Sequence, residues 1–148
     1  MSEAQVNEFD TKQYIVFSLG EERFGIDSLK ITTIDRMKTI TRVPKTPNYI
    51  KGVINLRGDI IPVMDLRAKF NLPPVEETDE TRIIILKLDE ISIGVIVDQV
   101  LQTIQLSETE IENASSLINT AASEYILGIG KVGGEIVTLL NFEKLVKL

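Results

Sequence analysis

The chain repeats itself, and that constrains its fold more than any other feature. At an offset of 76 residues, Tyr49 to Leu66 (YIKGVINLRGDIIPVMDL) aligns with Tyr125 to Phe142 (YILGIGKVGGEIVTLLNF) without a gap. Five of the 18 positions are identical and eight more are conservative, including Asp59 with Glu135, Val63 with Leu139 and Asp65 with Asn141. A second correspondence, at an offset of 69, sets Phe24-Gly25-Ile26 on Ile93-Gly94-Val95. In the first copy YIVFSL and RFGID flank Gly20-Glu21-Glu22; in the second RIIILKL and ISIGVIV flank Asp89-Glu90. Each copy therefore reads strand, tight turn, strand containing a glycine, longer connection, capped turn, strand, glycine turn, strand and capped short helix. Thr46-Pro47 and Ser123, each ahead of a tyrosine, are placed to cap the turn, and Asp65 and Asn141 to cap LRAKF and FEKLVKL.

The 21 Ile and 12 Val residues favour a pleated, half-buried surface over a helix. A unit of about 70 residues with five short strands curls into a small barrel, which removes exposed strand edges. One such unit alone buries too little to be stable. The fold expected is all-β with short helices: two pseudo-symmetric five-stranded barrels packed through a shared hydrophobic core. The boundaries are a flexible arm over 1–12, barrel repeat 1 over about 13–72, a linker at 71–81, barrel repeat 2 over about 81–142 and a short helix at 142–148, with exchange of strands between barrels left open. The linker carries Pro73, Pro74 and the acidic run Glu76, Glu77, Asp79, Glu80. Pro62 has no N–H to donate, so its strand must place it at an edge or a bulge, and its counterpart Thr138 allows that edge to be covered differently in the second copy.

Composition removes much chemistry. Cysteine is absent, so no disulfide framework exists, and histidine is absent, so no Ser-His-Asp or Cys-His arrangement is possible. A metal site would rest on carboxylates alone, and no spaced Asp-rich loop is present; metal ligands and cofactor-binding residues are therefore expected to be none, as are catalytic ones. The N-terminal segment has no apolar core, and runs such as Ile83 to Leu86 are far too short to span a bilayer, so a soluble cytoplasmic protein with no membrane insertion is expected. A net charge of −6 disfavours nucleic acid as a partner. One stretch runs against that balance: Lys30, Arg36, Lys38, Arg42, Lys45 and Lys51 face a single Asp35. It reads first as a solvated loop face and second as a contact for an acidic partner.

Several short strings have structural readings. Gly128-x-Gly130-x-x-Gly133 matches a dinucleotide fingerprint, but the segment that follows, Glu135-Ile-Val-Thr-Leu-Leu, is a strand pattern, so the glycines belong to a hairpin. Arg57-Gly58-Asp59 and Asn113-Ala114-Ser115 spell extracellular signals that an intracellular chain does not use. Ser107-x-x-Glu110 is a capping box. Arg57 is more informative, because its counterpart is Gly133: the turn does not need an arginine. Two readings stand side by side, an exposed surface arginine of little energetic weight and an interface anchor on a rigid hairpin.

The segments GEERFGIDSLKI, TRVPKTPNYIKGVINLRGDIIPVMDLRAKF and GVIVDQV resemble the CheW family of bacterial chemotaxis, and the likeness runs from about Gln13 to Leu148. The same blocks are similar to the regulatory domain of CheA kinases and the front half of CheV, which carry further domains. The resemblance implies two SH3-like barrels with a groove that takes the tip of a chemoreceptor hairpin. It implies a non-catalytic adaptor whose partners are the regulatory domain of the histidine kinase CheA and the cytoplasmic tip of methyl-accepting chemotaxis receptors, recruited to membrane-associated arrays. By position, receptor binding would fall to Ile15, Ile31, Ile34, Arg57 and Val100. Some members carry an acidic residue where Thr33 stands, so a salt bridge made there would be missing. Kinase binding would fall on Glu112, Ser116 and Leu117. Two alternatives remain: a related adaptor of another kinase pathway, and a small carboxylate-dependent or nucleotide-binding barrel using Gly128 to Gly134 and Asp59.

Overall fold

The computed structural model describes residues 11–113 and 123–146. Eleven strands, two single-turn helices and three 3-10 turns make up these residues. The strands are β1 (Thr11–Leu19), β2 (Glu22–Asp27), β3 (Ile31–Arg36), β4 (Ile50–Leu56), β5 (Asp59–Asp65), β6 (Arg82–Leu88), β7 (Ile91–Val97), β8 (Gln99–Ser107), β9 (Ile111–Glu112), β10 (Ile126–Val132) and β11 (Glu135–Leu140). The helices are α1 (Leu66–Lys69) and α2 (Phe142–Leu145). The strand pattern begins at Thr11, two residues inside the arm expected over 1–12.

Four tight hairpins follow the turn signals. Gly20 and Glu21 join β1 to β2; Glu22 pairs with Leu19 and so belongs to the strand, not to the turn as expected. Asp89 and Glu90 join β6 to β7. Arg57 (φ 53°) and Gly58 (φ 91°) join β4 to β5, and Gly133 (φ 57°) and Gly134 (φ 82°) join β10 to β11. Two successive positive φ values give the turn whose twist matches that of the flanking strands. The glycine string from Gly128 is thus a hairpin: Gly128 and Gly130 lie in β10, where an added Cβ would strike Ile111 and Leu106.

Contacts group the strands into two compact units that are not the two sequence repeats. One contains β1, β2 and the strands from Leu101 onward; the other is Lys30–Val100, with β3 to β7. The first carries a six-stranded sheet in the order β8-β1-β2-β11-β10-β9, and the second a five-stranded sheet in the order β3-β6-β7-β5-β4. The extra strand of the first is the two-residue β9. The exchange is reciprocal: β11 pairs in parallel with β2 (Leu139 opposite Gly25), and β5 pairs in parallel with β7 (Val63 opposite Gly94). Each parallel pair joins one copy of the repeat to the other at equivalent residues.

Local detail repeats with the same fidelity. The amide of Asp65 donates to the Tyr49 carbonyl at 2.7 Å, and the amide of Asn141 donates to the Tyr125 carbonyl at 2.7 Å. A bulge falls between Ile50 and Gly52 and again between Ile126 and Gly128. The Asp65 carboxylate accepts from the Arg67 amide at 3.0 Å and the Asn141 side chain from the Lys144 amide at 3.3 Å, capping α1 and α2. Thr46 does not cap the turn ahead of Tyr49; its hydroxyl donates back to the Val43 carbonyl at 3.2 Å, while Ile50 N closes the turn onto Pro47 O at 3.0 Å. Ser123 opens a 3-10 turn through Tyr125. The Glu110 carboxylate accepts from the Ser107 amide at 2.9 Å and hydroxyl at 3.0 Å, which holds its pKa below the usual value.

Each unit has its own apolar cluster: Tyr14, Val16, Ile104, Leu106, Val137 and Leu139 in the first, Ile54, Ile61, Val63, Ile83 and Ile85 in the second. The strand glycines sit in these clusters because they have no room for more. A Cβ at Gly25 would lie 2.8 Å from Leu139 Cδ2, and one at Gly94 would lie 2.9 Å from Ile83 Cγ2. Pro62 faces Val53 of β4, while the pairing of β5 with β7 begins one residue later at Val63, so the proline occupies a local edge; Thr138 instead faces Phe24. Leu72 to Thr81 carries no strand or helix, only a turn at Asp79-Glu80. Arg67 fastens it, donating from Nε and Nη2 to Asp98 at 2.9 and 2.6 Å and from Nη1 to Pro73 O at 2.8 Å.

Candidate partner-binding surface

Two of the expected site residues are brought together by an irregularity. Ile31 and Ile34 are three apart, and in a regular strand they would point to opposite faces. In β3 the register runs Ile31 opposite Leu86, Thr33 opposite Ile85 and Ile34 opposite Ile84, so Thr32 is an extra residue. Opposed residues of an antiparallel pair share a face. Ile31 and Ile34 therefore share the face of Leu86 and Ile84, and the row continues across β7 through Ile93 and Val95. Leu86, Ile84 and Val95 are fully buried, whereas Ile31 and Ile34 are only half-buried. The other face carries the cluster of Ile83 and Ile85. The run Ile83-Ile84-Ile85-Leu86 is unbroken because both faces of β6 are covered.

Thr33 lies on the cluster face, opposite Ile85, and not beside Ile31 and Ile34. Its hydroxyl reaches Asp35 Oδ1 at 3.4 Å, and the other carboxylate oxygen of Asp35 is buried with no hydrogen-bond partner. Arg57 projects from the tip of the β4–β5 hairpin, which the Gly58 amide secures by donating to Asn55 Oδ1 at 3.0 Å. The residue is exposed and, among the described residues, makes no side-chain hydrogen bond or ion pair. Its φ of 53° is a conformation that costs a side-chain-bearing residue and suits the glycine of the second copy. The strained residue is thus the one whose side chain the fold does not use.

Val100, the second residue of β8, is the counterpart of Ile31 at the offset of 69, so two of the five positions are one position of the repeat. It is half-buried. Ile15 lies in the first unit, opposite the fully buried Ile26, on the β1 face that also carries the stacked pair Phe17 and Phe24 (ring centroids 5.7 Å apart). Glu112 is exposed at the end of β9 and pairs with Lys131 Nζ at 3.7 Å. Ser116 and Leu117 lie outside the described residues. Sequence reading passed over Leu29, which is 86% exposed on the 3-10 turn just before β3. The Asp27 carboxylate accepts from its amide at 3.0 Å and fixes that turn, and no periodicity marks so short a segment.

No group of His, Cys, Asp or Glu that could hold a metal ion occurs among the described residues, and no helix there is long and apolar enough to cross a membrane. The arrangement is one of apolar and cationic side chains on strands and hairpin tips.

A family model described as the CheW-like domain matches residues 13–148. The chemotaxis protein CheW of Klebsiella aerogenes is 38% identical over 134 residues, 90% of this chain and 81% of that protein. That of Bacillus subtilis is 45% identical over 103 residues, 70% of this chain and 66% of that protein. The crystal structure of the scaffolding protein TtCheW from Thermoanaerobacter tengcongensis superposes with a TM-score of 0.85 at 33% identity, covering 93% of this chain and 88% of that one. With its duplicated, exchanged sheets and its strand-borne surface, the chain belongs to the CheW-like family of chemotaxis scaffold proteins.

Proposed function

We propose that this protein is a non-catalytic adaptor that couples chemoreceptors to the histidine kinase CheA in membrane-associated arrays, itself remaining in the cytoplasm. The observation that carries the reading is the pairing of Ile31 and Ile34 on one face of β3, half-exposed beside a fully buried row. A helical hairpin docks through apolar side chains at i, i+3 and i+4, and it needs a rigid apolar strip to meet them. Ile15 and Val100 are read as further receptor contacts, and Arg57 supplies a guanidinium fork at its hairpin tip. Thr33 carries no carboxylate and lies on the opposite face of β3, so it pairs with no receptor cation. Glu112, Ser116 and Leu117 form part of the kinase contact. Holding receptor and kinase in fixed geometry lets a receptor change alter the populations of kinase states without chemistry by the adaptor.

Co-elution of the protein with a receptor cytoplasmic fragment and with the CheA regulatory domain tests this. Ile31→Asp is expected to weaken receptor binding at least about tenfold, by burying a charge at an apolar contact, while kinase binding and melting temperature hold. Absence of binding to both partners by folded protein at tens of micromolar refutes the adaptor. Equal loss of both by the variant refutes the division of surfaces.

A further inference from the structure

We propose that the connection between β3 and β4 is a separate binding surface, built to take an acidic segment of a protein partner with an apolar residue among its carboxylates. Residues Arg42 to Lys51, Tyr49 excepted, line a concavity of about 500 Å³, in which Val43, Pro44, Pro47 and Ile50 are apolar and Arg42, Lys45 and Lys51 are cationic. The volume is that of an ordinary binding site. Lys51 is paired with Asp65 at 3.6 Å, but Arg42 and Lys45 are exposed and have no ion partner among the described residues. From Arg36 to Gly58 the chain has no Asp or Glu, within a protein of net charge −6. A cationic concavity on an acidic protein attracts carboxylates and repels the protein's own surface.

The frame is stiff. Thr41 and Val53 exchange two backbone hydrogen bonds of 2.8 Å each, fastening the loop to β4. Gly52 permits that approach, since a Cβ there would run into the Thr41 carbonyl. The Thr46 hydroxyl and the Ile50 amide tie the loop to Val43 and Pro47. Lys45 holds a φ of 62°, a conformation that glycine would adopt without cost. The duplication supplies a control: the second copy's connection, NASSLINTAASEY over 113–125, contains no lysine or arginine, and the counterpart of Lys51 is Leu127. The cations are therefore no part of what the two copies share. Pro44 and Pro47 lack N–H groups, so two of the lining residues offer no backbone donor, and the positive charge comes from side chains set among apolar ones. That favours carboxylates spaced along a peptide.

This inference does not rest on the receptor and kinase assignment, and its test uses neither partner. Fluorescence anisotropy of a labelled Glu-Glu-Leu-Glu-Glu peptide titrated with the full-length protein is expected to give saturable binding that weakens at least about fivefold between 0.05 and 0.5 M salt. Arg42→Gln with Lys45→Gly should weaken it at least about tenfold, with an unchanged melt because glycine suits the backbone at 45. Lys87→Ala, which removes an exposed cation from β6, should leave it unaltered. Absence of peptide binding, retention of full affinity by the double variant, an equal loss in Lys87→Ala, or displacement by inorganic phosphate as effective as by unlabelled peptide would each overturn the proposal.

Discussion

Replacing Arg57 by glycine, the residue its counterpart carries in the second copy, separates what the hairpin tip does for the fold from what it does for binding. At a φ of 53° a side-chain-bearing residue is destabilised by about 1–2 kcal/mol relative to glycine. Glycine in turn loses about 0.4–1 kcal/mol more backbone entropy on folding. No contact is forfeited, because the exposed guanidinium has no hydrogen bond or ion pair among the described residues. Arg57→Gly should therefore stabilise the protein by about 0.5–1 kcal/mol, which for a chain of this size is a rise in melting temperature of roughly 1–4 °C. Arg57→Ala keeps the strain and should leave stability within about 0.5 kcal/mol of the parent. Urea and thermal unfolding measure both, and binding to a receptor cytoplasmic fragment, measured on the same samples, should fall for both variants. A less stable glycine variant would show that the arginine supports the fold; undiminished receptor binding would show that the strain serves something other than docking.

Arg67→Met strips Asp98 of a two-pronged donor at 2.9 and 2.6 Å and releases Pro73 O, in a pair whose side chains are 12% and 25% exposed. A loss of about 2 kcal/mol in urea unfolding is expected, between the values for buried and surface pairs; Arg67→Met with Asp98→Leu should recover most of it, and an unchanged single variant would refute the coupling. Burial, aided by the charges of Asp27 and Glu108, raises the Tyr14 pKa above its ordinary 10.0. The neutral phenol is thus favoured by the fold, and its contribution is complete below about pH 10 and lost as pH rises through the folded value. Tyr14→Phe should flatten the alkaline limb of stability above pH 10 and leave the slope from pH 7 to 9 unchanged; parallel limbs would contradict this.

The hairpins and the caps of α1 and α2 are legible because each is a short-range choice, whereas Thr46, expected to cap the turn ahead of Tyr49, turns back to Val43. Gly58, Gly133 and Asp89-Glu90 mark turns by residue type, and Asp65 and Asn141 cap by a side-chain oxygen reaching an amide two or three residues on. Ile31, Ile34 and Arg57 were placed by resemblance, but nothing in the order Ile31-Thr32-Thr33-Ile34 announces that Thr32 is the extra residue that puts both isoleucines on one face. A bulge is defined by the partner strand, and β6 lies some fifty residues downstream. Thr33 shows the same dependence: its sequence proximity to Ile31 and Ile34 suggests a shared surface, and the register assigns it to the opposite one. The two-residue β9 is too short for any periodicity to show.

Sequence alone reveals the duplication, eight of the strands (β1, β2, β4 to β7, β10 and β11) with the four tight turns between them, the absence of histidine and cysteine chemistry, and the difference between the two copies at the hairpin tip. Which strands meet is visible only in the folded chain. Both copies present the same apolar alternation, so β5 and β11 are chemically matched to β2 and β7 alike, and period-two patterning cannot choose between them. The choice made, β11 with β2 and β5 with β7, links each copy to the other through parallel pairs seated on Gly25 and Gly94. A parallel partner is reached by a long connection and not by a local turn, so no short-range signal in the chain can name it.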